Sequence, residues 1–143
     1  MLVNMFERCL YFNVNALARK VNRLWDDAFK EFDLSPSHAY LLRLVLAEPG
    51  MTAKQIAAEL KLEKSTITRF LNVLEDRQLI QRKSSISGDA REQAIYPARA
   101  AKLLAHKLEA TGELLYQEML QGIGDKALKA LVQNLRKTEQ KLT

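Results

Sequence analysis

The chain of 143 residues contains one cysteine, three prolines and five glycines. One cysteine excludes an internal disulfide framework and fits a reducing compartment, so a cytoplasmic location is expected. Few prolines and glycines leave few obligatory breaks, and the abundance of Leu, Ala, Lys, Glu and Gln favours helix over sheet. No run of about 18 apolar residues occurs, so no transmembrane helix is implied. The start, Met1-Leu2-Val3-Asn4-Met5-Phe6-Glu7-Arg8, lacks a basic segment followed by an apolar core, and does not read as a secretory signal. Also missing are a G-x-G-x-x-G turn, a P-loop and a nucleophile elbow, which argues against an enzyme. The acidic pairs Asp26-Asp27 and Glu75-Asp76 read as solvated helix faces. The two histidines, His38 and His106, match no metal spacing, so neither metal nor cofactor is expected.

What remains is one ordinary domain's worth of chain, 48% apolar, with a net charge of +5. The charge suits a polyanionic partner, yet the basic residues are scattered, and position has to decide. Residues 10–28 place Leu10, Val14, Leu17, Val21, Leu24 and Ala28 at heptad-like steps on one long helix. Such a seam is either a core stripe or a face that packs on a second subunit.

Leu34-Ser35-Pro36 restarts the chain, with Ser35 as N-cap and Pro36 at the first helical position. That helix ends near Glu48-Pro49-Gly50. Thr52-Ala53-Lys54-Gln55 is a capping-box pattern opening a short helix through Ile56, Ala57 and Leu60. Lys61-Leu62-Glu63 leaves room only for a tight turn, and a further helix runs over residues 64–77. Residues 79–83 and 93–96 form the arms of a β-hairpin around a polar turn containing Gly88-Asp89. From Ala98 the chain is helical again, breaks at Gly122-Ile123-Gly124, and resumes with Asp125 as cap. Leu128, Leu131, Val132, Leu135 and Leu142 line one side of the last helix. The fold class is therefore mainly α with a small β-hairpin wing. Residues 35–97 make a winged helix-turn-helix, and residues 1–34 and 98–143 make a helical dimerisation region.

At about 100° per residue, the helix from Lys64 separates into two faces. Ile67, Phe70, Leu71 and Leu74 form an apolar back; Ser65, Thr68, Arg69 and Asn72 form a front, with Thr66 at its edge. The first two turns of that front hold no carboxylate. Arg, Asn and Thr have the donors and acceptors that base edges present partners for, and a helix N-terminus favours phosphate. Taken alone, this helix is as well explained as an ordinary amphipathic helix. The capped helix and three-residue turn before it shift the balance to a helix-turn-helix. Arg82, Lys83 and Arg91 on the hairpin add a basic wing, and an Arg on a narrow turn suits a minor groove. Lys54 and Lys64 complete the candidate DNA contacts.

In order and spacing, these segments resemble the MarR family of bacterial transcriptional regulators. Lys64-Ser65-Thr66-Ile67-Thr68-Arg69 is similar to that family's recognition-helix start, and Leu74-Glu75-Asp76-Arg77-Gln78-Leu79-Ile80 to the join with its wing. Asp89-Ala90-Arg91 resembles its wing-tip D-x-R signature. The resemblance implies a symmetric homodimer on a pseudo-palindromic double-stranded operator, with Arg91 in the minor groove. It also implies a repressor released by a small-molecule effector or other signal. Two departures stand out: Gln78 occupies a position where Gly is common, and Tyr96-Pro97-Ala98-Arg99-Ala100 replaces the usual Leu-Thr-x-x-Gly.

Cys9 lies near the start of the first helix. Some relatives sense peroxide through one cysteine there, supported by tyrosines; here Asn13 and Arg23 stand at those positions, and a packed structural cysteine is the favoured reading. Trp25, Phe29 and His38 are candidates for an effector pocket beside the winged domain, against the plainer alternatives of core and cap. The competing functional class is a winged-helix protein adaptor that does not bind DNA.

Overall fold

In a computed structural model, which describes residues 2–84 and 92–142, the chain divides into two compact units, Met1–Leu108 and Glu109–Thr143. Helices α1 (Leu2–Glu7), α2 (Leu10–Phe29), α3 (Pro36–Ala47), α4 (Ala53–Leu60) and α5 (Lys64–Asp76) are followed by strands β2 (Ile80–Ser84) and β3 (Gln93–Pro97). A two-residue strand β1 (Met51–Thr52) lies between α3 and α4, and a 3-10 turn (Lys30–Phe32) ends α2. Helix α6 (Arg99–Ile123) starts in the first unit and ends in the second, which is completed by α7 (Asp125–Lys141).

The caps written into the sequence are made. Ser35 Oγ accepts the His38 N–H, and Pro36 occupies the first turn of α3. Thr52 and Gln55 form both halves of the capping box of α4. The seam of residues 10–28 is one helix, but Cys9 is its N-cap, and a separate short helix precedes it. Asp125 does not cap α7: Gly124 holds that position at φ +99, and Asp125, first in the helix, pairs with Lys129 one turn on.

The sheet has three strands, ordered β1-β3-β2 and antiparallel throughout, where the hairpin pattern predicts two. Met51 pairs with Ile95 and Thr52 with Ala94. Such a pairing joins positions more than 40 residues apart, and a two-residue strand has no periodicity to announce it. Gly50 makes it possible: its φ of +95 suits glycine, and a Cβ there would meet Tyr96 Oη at 3.2 Å.

The core of the first unit is built from Phe29, Leu41, Leu42, Val45, Ile56, Ile67, Leu71, Leu74 and Ile95, all buried. The predicted apolar back of the 64–77 helix thus supplies three core residues and packs α5 on α3 and α4. The α2 seam is different. Leu10, Val14, Leu17 and Leu24 are exposed, Leu10 by 53%. In the second unit Leu115 and Leu128 are buried, while Leu114, Leu131, Val132, Leu135 and Leu142 are exposed.

Candidate nucleic-acid interface

α5 meets α4 through a turn that the chain makes with Lys61 in the left-handed region, at φ +57. This short reversal sets α5 against α4 as the second helix of a helix-turn-helix. With Ile67, Leu71 and Leu74 buried, the opposite face carries Lys64, Ser65, Thr68, Arg69 and Asn72, all exposed, and Thr66 is half-buried at its edge. No acidic residue falls in the first turn. Glu63, passed over in the sequence, is the N-cap, and its side chain makes no capping hydrogen bond. The carboxylate therefore leaves the first-turn N–H groups of α5 to another acceptor, and an anion is the natural one.

Local hydrogen bonds order this face. Thr68 Oγ1 donates to the Lys64 carbonyl at 3.0 Å, and Arg69 Nη2 donates to Thr66 Oγ1 at 3.4 Å. Lys54 of α4, Lys64 and Thr68 of α5 and Arg82 of β2 line one groove of about 470 Å³, together with Glu92 and Gln93. Four of the predicted contacts thus converge on a single concavity, and Ser65, Arg69 and Asn72 extend the polar surface along α5.

The wing strand behaves less simply than its charges suggest. Arg82 does not stand free: Nη2 donates to Asn72 Oδ1 at 2.9 Å, and Nη1 lies 3.5 Å from Glu75 Oε1. It links the wing to α5. Lys83 places its ammonium 5.0 Å from the centre of the Tyr96 ring. Arg91 lies outside the described residues.

The effector-pocket candidates are packed. Phe29 is fully buried, with its ring 5.9 Å from that of Tyr40. Trp25 Nε1 donates to Tyr40 Oη at 3.0 Å. His38 is half-buried in the first turn of α3, its ring 4.5 Å from that of Phe70 on α5. Burial, and then the nearby Arg77 guanidinium, lower its pKa from 6.5. Cys9 is half-exposed, and its Sγ accepts the Phe12 N–H at 3.4 Å. Among the described residues no group of three or more His, Cys, Asp or Glu could hold a metal ion, and no helix is long and apolar enough to cross a membrane.

Residues 32–92, from the last residue of the 3-10 turn to the residue before β3, match the model of the MarR family. The matched segment holds α3, the helix-turn-helix of α4 and α5, and strand β2. The whole chain is similar in fold to solved transcriptional regulators. A structure of the transcriptional regulator SlyA is 23% identical, with a TM-score of 0.77 over 90% of this chain and 89% of that one. MepR of S. aureus, solved as a DNA complex, is 19% identical, with a TM-score of 0.83 over 94% and 98%. The transcriptional repressor CouR, bound to a 23-mer DNA duplex, is 19% identical, with a TM-score of 0.84 over 93% and 94%. The MarR-type fold thus extends beyond the matched segment to α2, α6 and α7.

The structure also explains a departure from the MarR pattern. Gln78 adopts φ +59, a left-handed conformation that costs a side chain but not glycine. Its N–H bonds to the Glu75 carbonyl and that of Leu79 to the Leu74 carbonyl, which ends α5 in a Schellman motif. The turn keeps its geometry and pays for it in strain.

Proposed function

We propose that this chain is a sequence-specific, double-stranded-DNA-binding transcriptional regulator that works as a homodimer. The observation that carries the reading is the exposed face of α5. It is polar, free of acid in its first turn, and presented by a helix-turn-helix beside a basic strand. Lys64, Ser65, Thr66, Thr68, Arg69 and Asn72 supply the groups that base edges and phosphates need, and Lys54 flanks them. Arg91 is proposed as the wing-tip contact.

Dimerisation is supported by the seam of α2. A helix with its heptad-like stripe exposed has buried only part of what its sequence offers, and contiguous exposed apolar surface marks an interface. The leucine side of α7 supports the same assignment, so residues 1–34 and 98–143 are proposed as the dimerisation region around the winged domain 35–97. Two-fold symmetry then calls for a pseudo-palindromic operator. Repression relieved by a small ligand is the finer form of the proposal. The 470 Å³ groove beside α5 suits it better than the filled surroundings of Phe29, because an occupant touching Lys64, Thr68 and Arg82 competes with DNA for the same groups.

Selection from random duplexes tests the reading. An enriched palindrome bound with steep salt dependence is expected. Binding that shows no sequence preference, or none at all, leaves the adaptor as the better account.

A further inference from the structure

Arg77 is the C-cap of α5. Continued around the helix, its position lies about 180° from Thr68 and more than about 100° from Ser65 and Asn72, though about 80° from Arg69 and about 20° from Thr66. Its guanidinium is engaged within the protein by two hydrogen bonds. Nη2 donates to the Phe32 carbonyl at 3.2 Å and Nη1 donates to the Asp33 carbonyl. These acceptors close the 3-10 turn that continues α2 directly from Phe29. Asp33 has φ +53, and its own N–H returns to the Lys30 carbonyl. The bonds span 44 and 45 residues of chain, and carbonyls at a helix C-terminus carry the partial negative charge that a cation favours.

A second contact lies on the same side of α5. Phe70 is seven residues before Arg77, within about 20° of two full turns. Its ring rests 4.5 Å from that of His38, in the first turn of α3. His38 is fixed in turn by Ser35, whose Oγ lies 2.5 Å from Nδ1 and accepts the backbone N–H. Residues 32–38, the link between α2 and α3, thus hold α5 at two points two turns apart. Two points fix a direction where one would leave a pivot.

We propose that Arg77 is a positioning residue for DNA recognition: by gripping the last carbonyls of the α2 extension, it sets the pitch at which α5 meets the duplex. The helix that carries the exposed seam and the helix that carries the polar reading face are then joined by one planar fork. Lysine replaces it only in part, because an ammonium lacks the planar fork that holds two acceptors in a fixed geometry.

This inference rests on the DNA-binding reading, and one titration separates the two. The affinity of wild type, Arg77→Gln and Arg77→Lys is measured on a selected operator and on a random duplex, across salt concentrations, with thermal melting as a check of folding. The expected result is a roughly tenfold fall in the operator-to-random affinity ratio for Arg77→Gln, and a smaller one for Arg77→Lys. The salt slope should match wild type, because no phosphate contact is lost. A slope reduced by about one, with equal losses on both duplexes, makes Arg77 a phosphate contact and overturns the proposal. So does an unchanged ratio in a folded variant. If Arg77→Gln does not fold, Arg77→Lys is read by the same criteria. Wild-type protein that binds no duplex removes the DNA-binding reading itself, and this inference with it.

Discussion

Arg82 of β2 and Asn72 of α5 are hydrogen-bonded to one another, at 2.9 Å from Nη2 to Oδ1. Both read from the sequence as DNA contacts, and each has part of its polar capacity spent within the protein. The pair, with Glu75 3.5 Å from the same guanidinium, ties β2 to α5. The coupling should be modest but measurable, about 0.5–1 kcal/mol, because Arg82 is largely covered while Asn72 is exposed. A double-mutant cycle of Arg82→Ala and Asn72→Ala by urea denaturation measures it. Strict additivity would show that the bond contributes nothing to stability.

Among the described residues, Arg69 has no partner beyond its own helix, where it donates to Thr66. It is the side chain on the exposed face best suited to a bidentate base contact. Arg69→Ala should cost about 1–3 kcal/mol of operator affinity and relax the preference at one base position. Affinities on single-base operator variants read this directly. A uniform loss across all variants would assign Arg69 to the backbone instead.

Gln78→Gly should stabilise the protein by about 1 kcal/mol. The φ of +59 that closes α5 is strained for glutamine and free for glycine, and that relief outweighs the added freedom of the unfolded chain. A lowered urea midpoint would mean that the Gln78 side chain compensates for the strain.

His38 supplies a pH dependence of fixed sign. Its folded pKa lies below 6.5, first through burial and then through Arg77, so the unfolded chain binds more protons in that range. The stability it contributes is fully present above pH 6.5 and is lost as pH falls through the folded value. Denaturation midpoints near pH 5 and pH 7.5 should therefore differ less in His38→Gln than in wild type. Equal differences would place the titration elsewhere.

Cys9 is the N-cap of α2, a position that serine fills well. Cys9→Ser should keep or slightly raise the melting temperature, and its operator affinity should respond to peroxide as wild type does. Loss of binding in peroxide by wild type alone would instead make the thiol a sensor.

The sequence made legible whatever depends on near neighbours. Ser35, the Thr52–Gln55 box and the two faces of α5 each follow from residues within one or two turns, and each is found where the pattern places it. The α2 seam was legible as a stripe, and its exposure within one chain fits the second of the two readings that the sequence left open. Hidden were the features that join distant segments: β1 against β3, Arg77 on the 3-10 turn, and Phe70 on His38. Arg82 shows the same limit within the site. A basic residue on a wing strand is easily named, but its alignment with Asn72 depends on how β2 leaves α5, a matter of backbone direction rather than of residue type.

Thr52 belongs to two structures at once. It is the last residue of β1, opposite Ala94, and the cap on which α4 begins. An insertion or deletion between Met51 and Ala53 would break the tie between the register of the sheet and the phase of the helix, so this junction is closed to length variation. If α5 reads DNA as proposed, a change of target is thereby steered toward exchanging side chains on α5, with the backbone beneath them kept intact.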